Sequence, residues 1–395
     1  MIPTDQALRL ILDRAPRLPS NRLPLAEALN RVLRADAMAG ADSPPFDASA
    51  MDGYAARRAD LAAPLRVIGE STAGRAFPRA VGPGECVRIL TGAPVPAGAD
   101  CVVKQEDVVR DGGTIHVRRA DGPGHIRRRG ENHRRGDIVV PAGTRLGPPE
   151  LAALAAIGVD QPEVVRAPRC AHLVTGDELV APGELPRDAQ IRDSNSTLVA
   201  ALLRGHGAAL AGQTRAGDDL AAARAAVEAL PAHDVLLISG GASVGDRDIA
   251  RPLLEALGYA AHFHAVNLRP GKPLVFASRG TQLAFALPGN PVSHWVVFHL
   301  FVAPLLRCLE TGEAAPPLRL AGRLAAAAGL PPQDVRHTCW PCRATVRDGV
   351  PELTPLPLAS SGDSSGLVGA NALLLVPPPP ASLAPGQTVE FIPCP

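Results

Sequence analysis

Aromatic side chains are scarce, at 3% of 395 residues against 46% hydrophobic residues. Cores must therefore be built from Ala, Leu and Val, and base-stacking platforms for single-stranded nucleic acid are excluded. Charge of one sign is missing too. Forty basic residues against 39 acidic ones leave a formal net charge of +1, without the basic excess that a nucleic-acid binder shows. The Arg127-Arg128-Arg129 and Arg134-Arg135 cluster reads as a solvated loop. No run approaches the ~20 apolar residues of a membrane span, and Met1-Ile2-Pro3-Thr4-Asp5 lacks a charged start with an apolar block behind it. A cytosolic location is expected. Seven cysteines, an odd number in a long chain, argue against a disulfide framework. Cys339-Trp340-Pro341-Cys342 has no second CxxC to complete a zinc site and runs on as a strand, which argues against redox chemistry.

What the chain does have is a set of apolar strands that end in polar turns. Leu236 to Ser239 runs into Gly240-Gly241-Ala242-Ser243-Val244-Gly245 and then Asp246 and Asp248. Glycines let main-chain N–H groups close on phosphate oxygens, and Ser239 and Ser243 can add hydroxyl donors. The carboxylates would repel that anion unless a divalent cation lay between them. A plain structural turn is the alternative reading. Downstream, Arg269 and Lys272 bracket a Pro-Gly turn before the strand Leu274–Ala277, and Leu283–Leu287 ends in Pro288-Gly289-Asn290. Three such turns match the rule that open α/β sheets bind ligands at their strand ends.

The length implies several domains. Thr4 is placed to cap a helix through Leu12, and a second helix is expected over Leu25–Leu33. Residues 41–140 read as a small β domain inserted within helical segments 1–40 and 141–165. Strands and helices alternate over 166–312, which predicts a parallel sheet covered on both faces, and 313–395 reads as a compact β domain. One of His262 and His264, alternating on a strand, is expected to pack beside the sheet.

These motifs resemble the molybdenum cofactor biosynthesis family of MoeA-type molybdopterin molybdenumtransferases and the corresponding gephyrin domain. The resemblance extends through Ser43 to Ala55, Ile89 to Pro94, Arg129-Gly130-Glu131-Asn132, Thr175 to Leu179 and Ile191 to Asn195. It implies an α/β multidomain fold: a parallel-sheet molybdopterin-binding domain, an inserted small β domain, an elongated helical N-terminal domain and a C-terminal β-barrel-like domain. It implies insertion of molybdenum from molybdate into adenylylated molybdopterin, with Mg²⁺-dependent release of AMP.

By similarity, Asp52, Thr91, Glu178, Asp218 and Asp248 are catalytic, with Glu178, Asp218 and Asp248 also the metal ligands. Asp193, Ser194, Asn195, Ser239, Gly240, Gly241, Ser243, Gly245, Arg269, Lys272, Pro288, Gly289 and Asn290 bind the cofactor precursor. Asp218 and Asp193 also read as helix caps. The resemblance further implies a homodimer in which Asp52 and Thr91 complete a neighbouring subunit's site. Contacts with molybdopterin adenylyltransferase and with molybdoenzyme assembly proteins are part of the same picture. Asn132 stands where the family commonly has Asp, and Arg269 where it often has Lys. A pterin-binding scaffold without turnover and a molybdopterin adenylyltransferase remain alternatives.

Overall fold

A computed structural model describes residues 1–119, 124–241, 249–332, 334–379 and 383–394. The chain forms two compact units, one of Met1–Asn21 with Val165–Pro395 and one of Arg22–Val164.

In the Arg22–Val164 unit, six strands lie in the order Cys101–Lys104, Gly53–Ala56, Glu85–Ile89, Leu65–Ser71, Thr114–Val117 and Val108–Asp111. Their core is Leu65, Cys86, Val103 and Ile115 around one aromatic ring, Tyr54. A second core joins Leu33, Val140, Leu146 and Val164 to Leu154 of the helix Pro148–Ala156. That helix starts at a proline, and Glu150 accepts from the Gly147 N–H at 2.9 Å. Over Leu25–Leu33 the expected helix is only a single 3₁₀ turn, Leu25–Glu27. Val32 and Leu33 pair instead with Arg145 and Val164, because cross-strand partners offer these β-branched and aliphatic side chains a deeper core than a free helix would. The arginine cluster is tied down locally, Arg128 to Asp47 at 2.6 Å and Arg129 to Asp42 at 2.7 Å. Asn132 joins it by accepting from Arg127 at 2.6 Å and donating to Ser43 at 3.2 Å, a loop-bracing role.

The other unit begins with α1 (Thr4–Leu12). Thr4 lies within this helix rather than capping it, and its hydroxyl pairs with His337 Nδ1 at 2.9 Å. The α/β core follows as β1 (Arg169–Thr175), α2 (Asn195–Gly205), β2 (Ala209–Ala216), α3 (Leu220–Glu228), β3 (Val235–Ser239), α4 (Ala250–Ala256), β4 (Ala260–Ala265), β5 (Pro273–Arg279), β6 (Gln282–Leu287), α5 (Pro291–Val297) and α6 (Ala303–Thr311). The sheet order is β2-β1-β3-β6-β5-β4. Strands β2, β1, β3 and β6 are parallel, whereas β5 runs antiparallel to both β6 and β4, so the expected all-parallel sheet is mixed at one edge. The cause is local. Arg279-Gly280-Thr281-Gln282 turns β5 straight into β6, and so short a link cannot make a parallel crossover. Helices α3 and α4 cover one face through Ala223, Val227, Leu253 and Leu254. On β4, His262 bonds Ser278 at 2.8 Å and tilts against Phe276, the expected packing role.

Pro291–Thr311 is one continuous helical run through a π turn at Phe298–Val302. With mean hydropathy 1.5 it is long and apolar enough to cross a membrane, contrary to the expectation from sequence. Its most apolar stretch is 89% buried within this unit, the behaviour of a core helix. After it come β7 (Leu320–Leu324), β8 (His337–Arg347), β9 (Val350–Pro355), β10 (Ala372–Val376) and β11 (Thr388–Pro393). They pair in the order β8-β9-β7-β11-β10, and β10 pairs back on β8, closing a barrel. Cys339 and Cys342 are both buried on β8, Cys342 within the barrel core, and burial pushes both thiols up to about 12. All seven cysteines are free and buried, so the CxxC is packing and not a redox pair.

Candidate functional site

Strands β1, β3 and β6 end on the same side of the sheet, and antiparallel β5 begins there. The start of β5 thereby brings Arg269 and Lys272 to the tips where the glycine turns lie. A cavity of about 1150 Å³ opens over these tips, with Pro332, Arg336 and Trp340 from the barrel side and Leu358, Ser361 and Ser364 from a following loop also in its wall. It exceeds the ~300–1,000 Å³ typical of a single small-molecule pocket, and so has room for two reactants.

Glu178, Asp193, Ser194, Asn195, Asp218, Ser239, Gly240, Gly241, Arg269, Lys272, Pro288, Gly289 and Asn290 all line this cavity, as the sequence reading grouped them. Ser243, Gly245 and Asp248 lie outside the described residues. Asp52 and Thr91 belong to the Arg22–Val164 unit. There Asp52 accepts from both the N–H and the hydroxyl of Thr91, each at 2.7 Å, and these bonds hold its carboxyl below the ordinary range.

Two carboxylates at the cavity are unspent. No hydrogen bond or ion pair to a described residue engages the side chain of Glu178 or of Asp218, the latter receiving only an Asp177 contact at its own N–H. The cap of α3 is Asp219, which accepts from Ala222 N–H at 2.7 Å. Asp193 differs. It accepts from the N–H of Ser196 at 2.9 Å and from its hydroxyl, holding the first turn of α2. Asn195 donates to the Gly289 carbonyl at 2.7 Å, and its Oδ1 is buried without a partner on the cavity wall. Asn290 donates to Ser361 Oγ at 2.7 Å, joining the β6 turn to the barrel loop.

The cations are unequal. Arg269 is tied to Asp334 at 3.3 Å and to the Pro332 carbonyl at 2.8 Å, whereas Lys272 is exposed with no such partner among the described residues. Asp334 also takes both arms of Arg336, at 2.6 and 2.9 Å, and this pairing holds its carboxyl far below the usual range. Arg336 also lines the cavity, and no glycine turn or hydrophobic period in its stretch of sequence marks it as a site residue.

Beneath the floor runs a buried chain of hydrogen bonds. His294 Nδ1 faces the Pro288 carbonyl at 2.9 Å and must carry the proton there. Its Nε2 is then an acceptor, so the Ser239 hydroxyl 3.2 Å away donates to it. Ser239 Oγ in turn accepts from His172 Nε2, and His172 Nδ1 accepts from Gln213 at 2.7 Å. Gln213 also donates to the Ser196 carbonyl at 3.0 Å. Every member is neutral: burial lowers His172 to about 3 and His294 to about 4. The Ser239 hydroxyl is thus spent inside the protein, which corrects its expected use as a phosphate donor; a serine beside glycines looks the same in sequence whichever way it turns.

Gly240 is required by geometry. Its φ is +93°, and a Cβ there would lie 2.6 Å from the Thr175 carbonyl oxygen, which is fixed backbone of β1. Gly240→Ala is expected to cost roughly 2–3 kcal/mol of stability, read by urea denaturation.

Three family models match in succession: the MoeA N-terminal region (domains I and II) over residues 2–158, the probable molybdopterin binding domain over 171–308 and the MoeA C-terminal region (domain IV) over 323–394. The chain is 36% identical over 316 residues to a molybdopterin molybdenumtransferase of Haemophilus influenzae, covering 78% of each. It is 29% identical over 413 residues to the Staphylococcus aureus protein of that name, covering 99% of this chain and 95% of the relative. A solved structure of the molybdopterin biosynthesis MoeA protein from Pyrococcus horikoshii OT3 superposes with a TM-score of 0.82 at 28% identity, over the whole of both chains. The match runs through the N-terminal, α/β and barrel parts alike, and this chain belongs to the MoeA family of molybdopterin molybdenumtransferases.

Proposed function

We propose that the cavity brings molybdate and adenylylated molybdopterin together, so that molybdenum enters the dithiolene as the adenylyl phosphoanhydride is cleaved and AMP leaves. One observation carries this reading: a single cavity large enough for two reactants presents unspent carboxylates and cations together. Both substrates are anions, and in a site of reduced dielectric they repel each other unless positive charge lies between them.

Lys272, a cation without an ion-pair partner among the described residues, suits an oxyanion, and Arg336 adds a planar fork whose position Asp334 fixes. The Gly240 N–H is spent on the Leu287 carbonyl at 3.3 Å, but the main chain at Gly241 can approach phosphoryl oxygens closely, since neither residue carries side-chain bulk. The partnerless Oδ1 of Asn195 suits an N–H of the pterin ring.

Glu178 and Asp218 would hold Mg²⁺. Hard carboxylate oxygens without protein partners fit an ion that binds through one or two carboxylates, waters and substrate phosphates. No three metal-binding groups cluster among the described residues, and Asp248, the third ligand the resemblance implies, lies outside them. When bound, the ion supplies positive charge against the phosphoanhydride oxygens.

Asp52 and Thr91 enter the proposal as a preformed, ionised pair contributed by the Arg22–Val164 unit within a homodimer. Delivery of substrate by molybdopterin adenylyltransferase and transfer of product to molybdoenzyme assembly proteins complete the reading. A cytosolic setting accords with seven free thiols.

The test is direct. Purified protein given adenylylated molybdopterin, Mg²⁺ and molybdate is expected to release AMP and form active cofactor. Tight pterin binding without AMP release would mean a scaffold, and adenylylation of free molybdopterin by ATP would mean an adenylyltransferase. Either outcome rejects the proposal.

A further inference from the structure

The cavity wall contains one aromatic side chain among its described residues, Trp340. In a chain with only two tryptophans and 3% aromatic residues, its position asks for an explanation. Trp340 stands on β8 and pairs with Leu374 of β10 in an unbroken antiparallel register, so its backbone belongs to a rigid closed sheet. The indole N–H donates to the Leu356 carbonyl at 3.0 Å, which fixes the ring's rotation. Its polar edge is therefore spent while the residue stays only half-buried at the cavity. A ring held this way loses little entropy on binding a flat ligand. The same segment supplies Arg336, four residues earlier, as a cation for a phosphate.

We propose that Trp340 is the stacking wall for the adenine ring of the adenylylated substrate, with Arg336 from the same barrel segment for its phosphate. This rests on the transferase reading above and adds the orientation of the substrate. The match to a probable molybdopterin binding domain ends at residue 308, and in this proposal the pterin accordingly sits at the sheet tips within that span. Trp340 lies beyond it, on the barrel side, and the flat ring left to be housed there is the purine. The two rings of the substrate then occupy opposite walls, with the phosphoanhydride between them over the glycine turns.

Tryptophan emission reports this directly. The second tryptophan, Trp295, is buried and edge-on to His299. In full-length Trp295→Phe protein, Trp340 alone emits, and AMP is expected to quench it saturably. Trp340→Ala should raise the AMP dissociation constant, measured by equilibrium dialysis, by about 5- to 150-fold, the range for losing one base–aromatic stack. Trp340→Phe keeps an aromatic face and should restore most of the affinity, which a purely structural role would not require. The inference is overturned by Trp340 emission that saturating AMP leaves unchanged, or by Trp340→Ala protein that binds AMP as the wild type does. It is also overturned if Trp340→Ala weakens molybdopterin and spares AMP, since the ring on the wall would then be the pterin. These outcomes stand apart from the transferase reading, which is tested separately on the wild type by AMP release from adenylylated molybdopterin and molybdate and by the assay with ATP and free molybdopterin.

Discussion

Lowering the pH from 7 to 5 is expected to remove about 6 kcal/mol of folding stability, about 2 for each of three buried histidines. Burial lowers His172 to about 3, His294 to about 4 and His299 to about 3, from an ordinary value of 6.5. In the unfolded chain each takes up a proton as the pH falls through 6.5, while in the folded protein each stays neutral. Between 6.5 and about 4 the unfolded state therefore binds more protons, and folding weakens as the pH falls. The full contribution is present only above the unfolded value. At pH 5 the gap is about 1.5 units, worth ~1.4 kcal/mol per unit for each group. His262 and His337 are also lowered, chiefly by burial, and add in the same direction. Against a total stability of roughly 5–15 kcal/mol, a loss of this size is a large fraction of what holds the fold. Urea denaturation at a series of pH values should show a slope approaching three protons between pH 6 and 5. His299→Phe should reduce that slope by one, because His299 packs edge-on to Trp295 and Phe298 and stands outside the chain of hydrogen bonds through Ser239. A stability curve flat across this range would show that the histidines are not held neutral.

The same histidines mark where sequence stopped being informative. The strand from Leu236 into Gly240 and Gly241, the turn at Pro288-Gly289-Asn290 and the cations Arg269 and Lys272 are all visible as residues at strand ends, and the cavity gathers them. That Arg269 and Lys272 precede their strand and still reach the same side depends on β5 running antiparallel, and strand direction leaves no trace in a short apolar run. The barrel side was hidden for another reason. Arg336, Trp340 and Ser361 come to the cavity through long-range pairing of β8 with β9 and β10, and no local period records it. Local readings failed where tertiary partners competed. Thr4 finds His337 rather than a helix end, and Ser239 finds two histidines 67 and 55 residues away in sequence rather than a ligand.

Removing the unspent carboxylates should have the largest kinetic effect. Glu178→Gln and Asp218→Asn keep size and hydrogen-bonding shape while deleting charge, so each is expected to slow molybdate-dependent AMP release about 10²- to 10³-fold, the usual cost of losing one preorganised electrostatic contact. If both side chains hold one Mg²⁺, the second substitution removes little that the first has not already lost. The double variant should then be no more than a few-fold slower than the worse single variant, and its Mg²⁺ requirement should rise in parallel. Asp219→Ala serves as the contrast one residue away. It deletes the cap of α3, and is expected to cost about 1 kcal/mol of stability with release of AMP nearly unchanged. Rates measured across a magnesium titration decide between the two behaviours. Losses that multiply in the double variant, with an unaltered Mg²⁺ dependence, would mean that Glu178 and Asp218 act separately on the substrate and that no ion joins them.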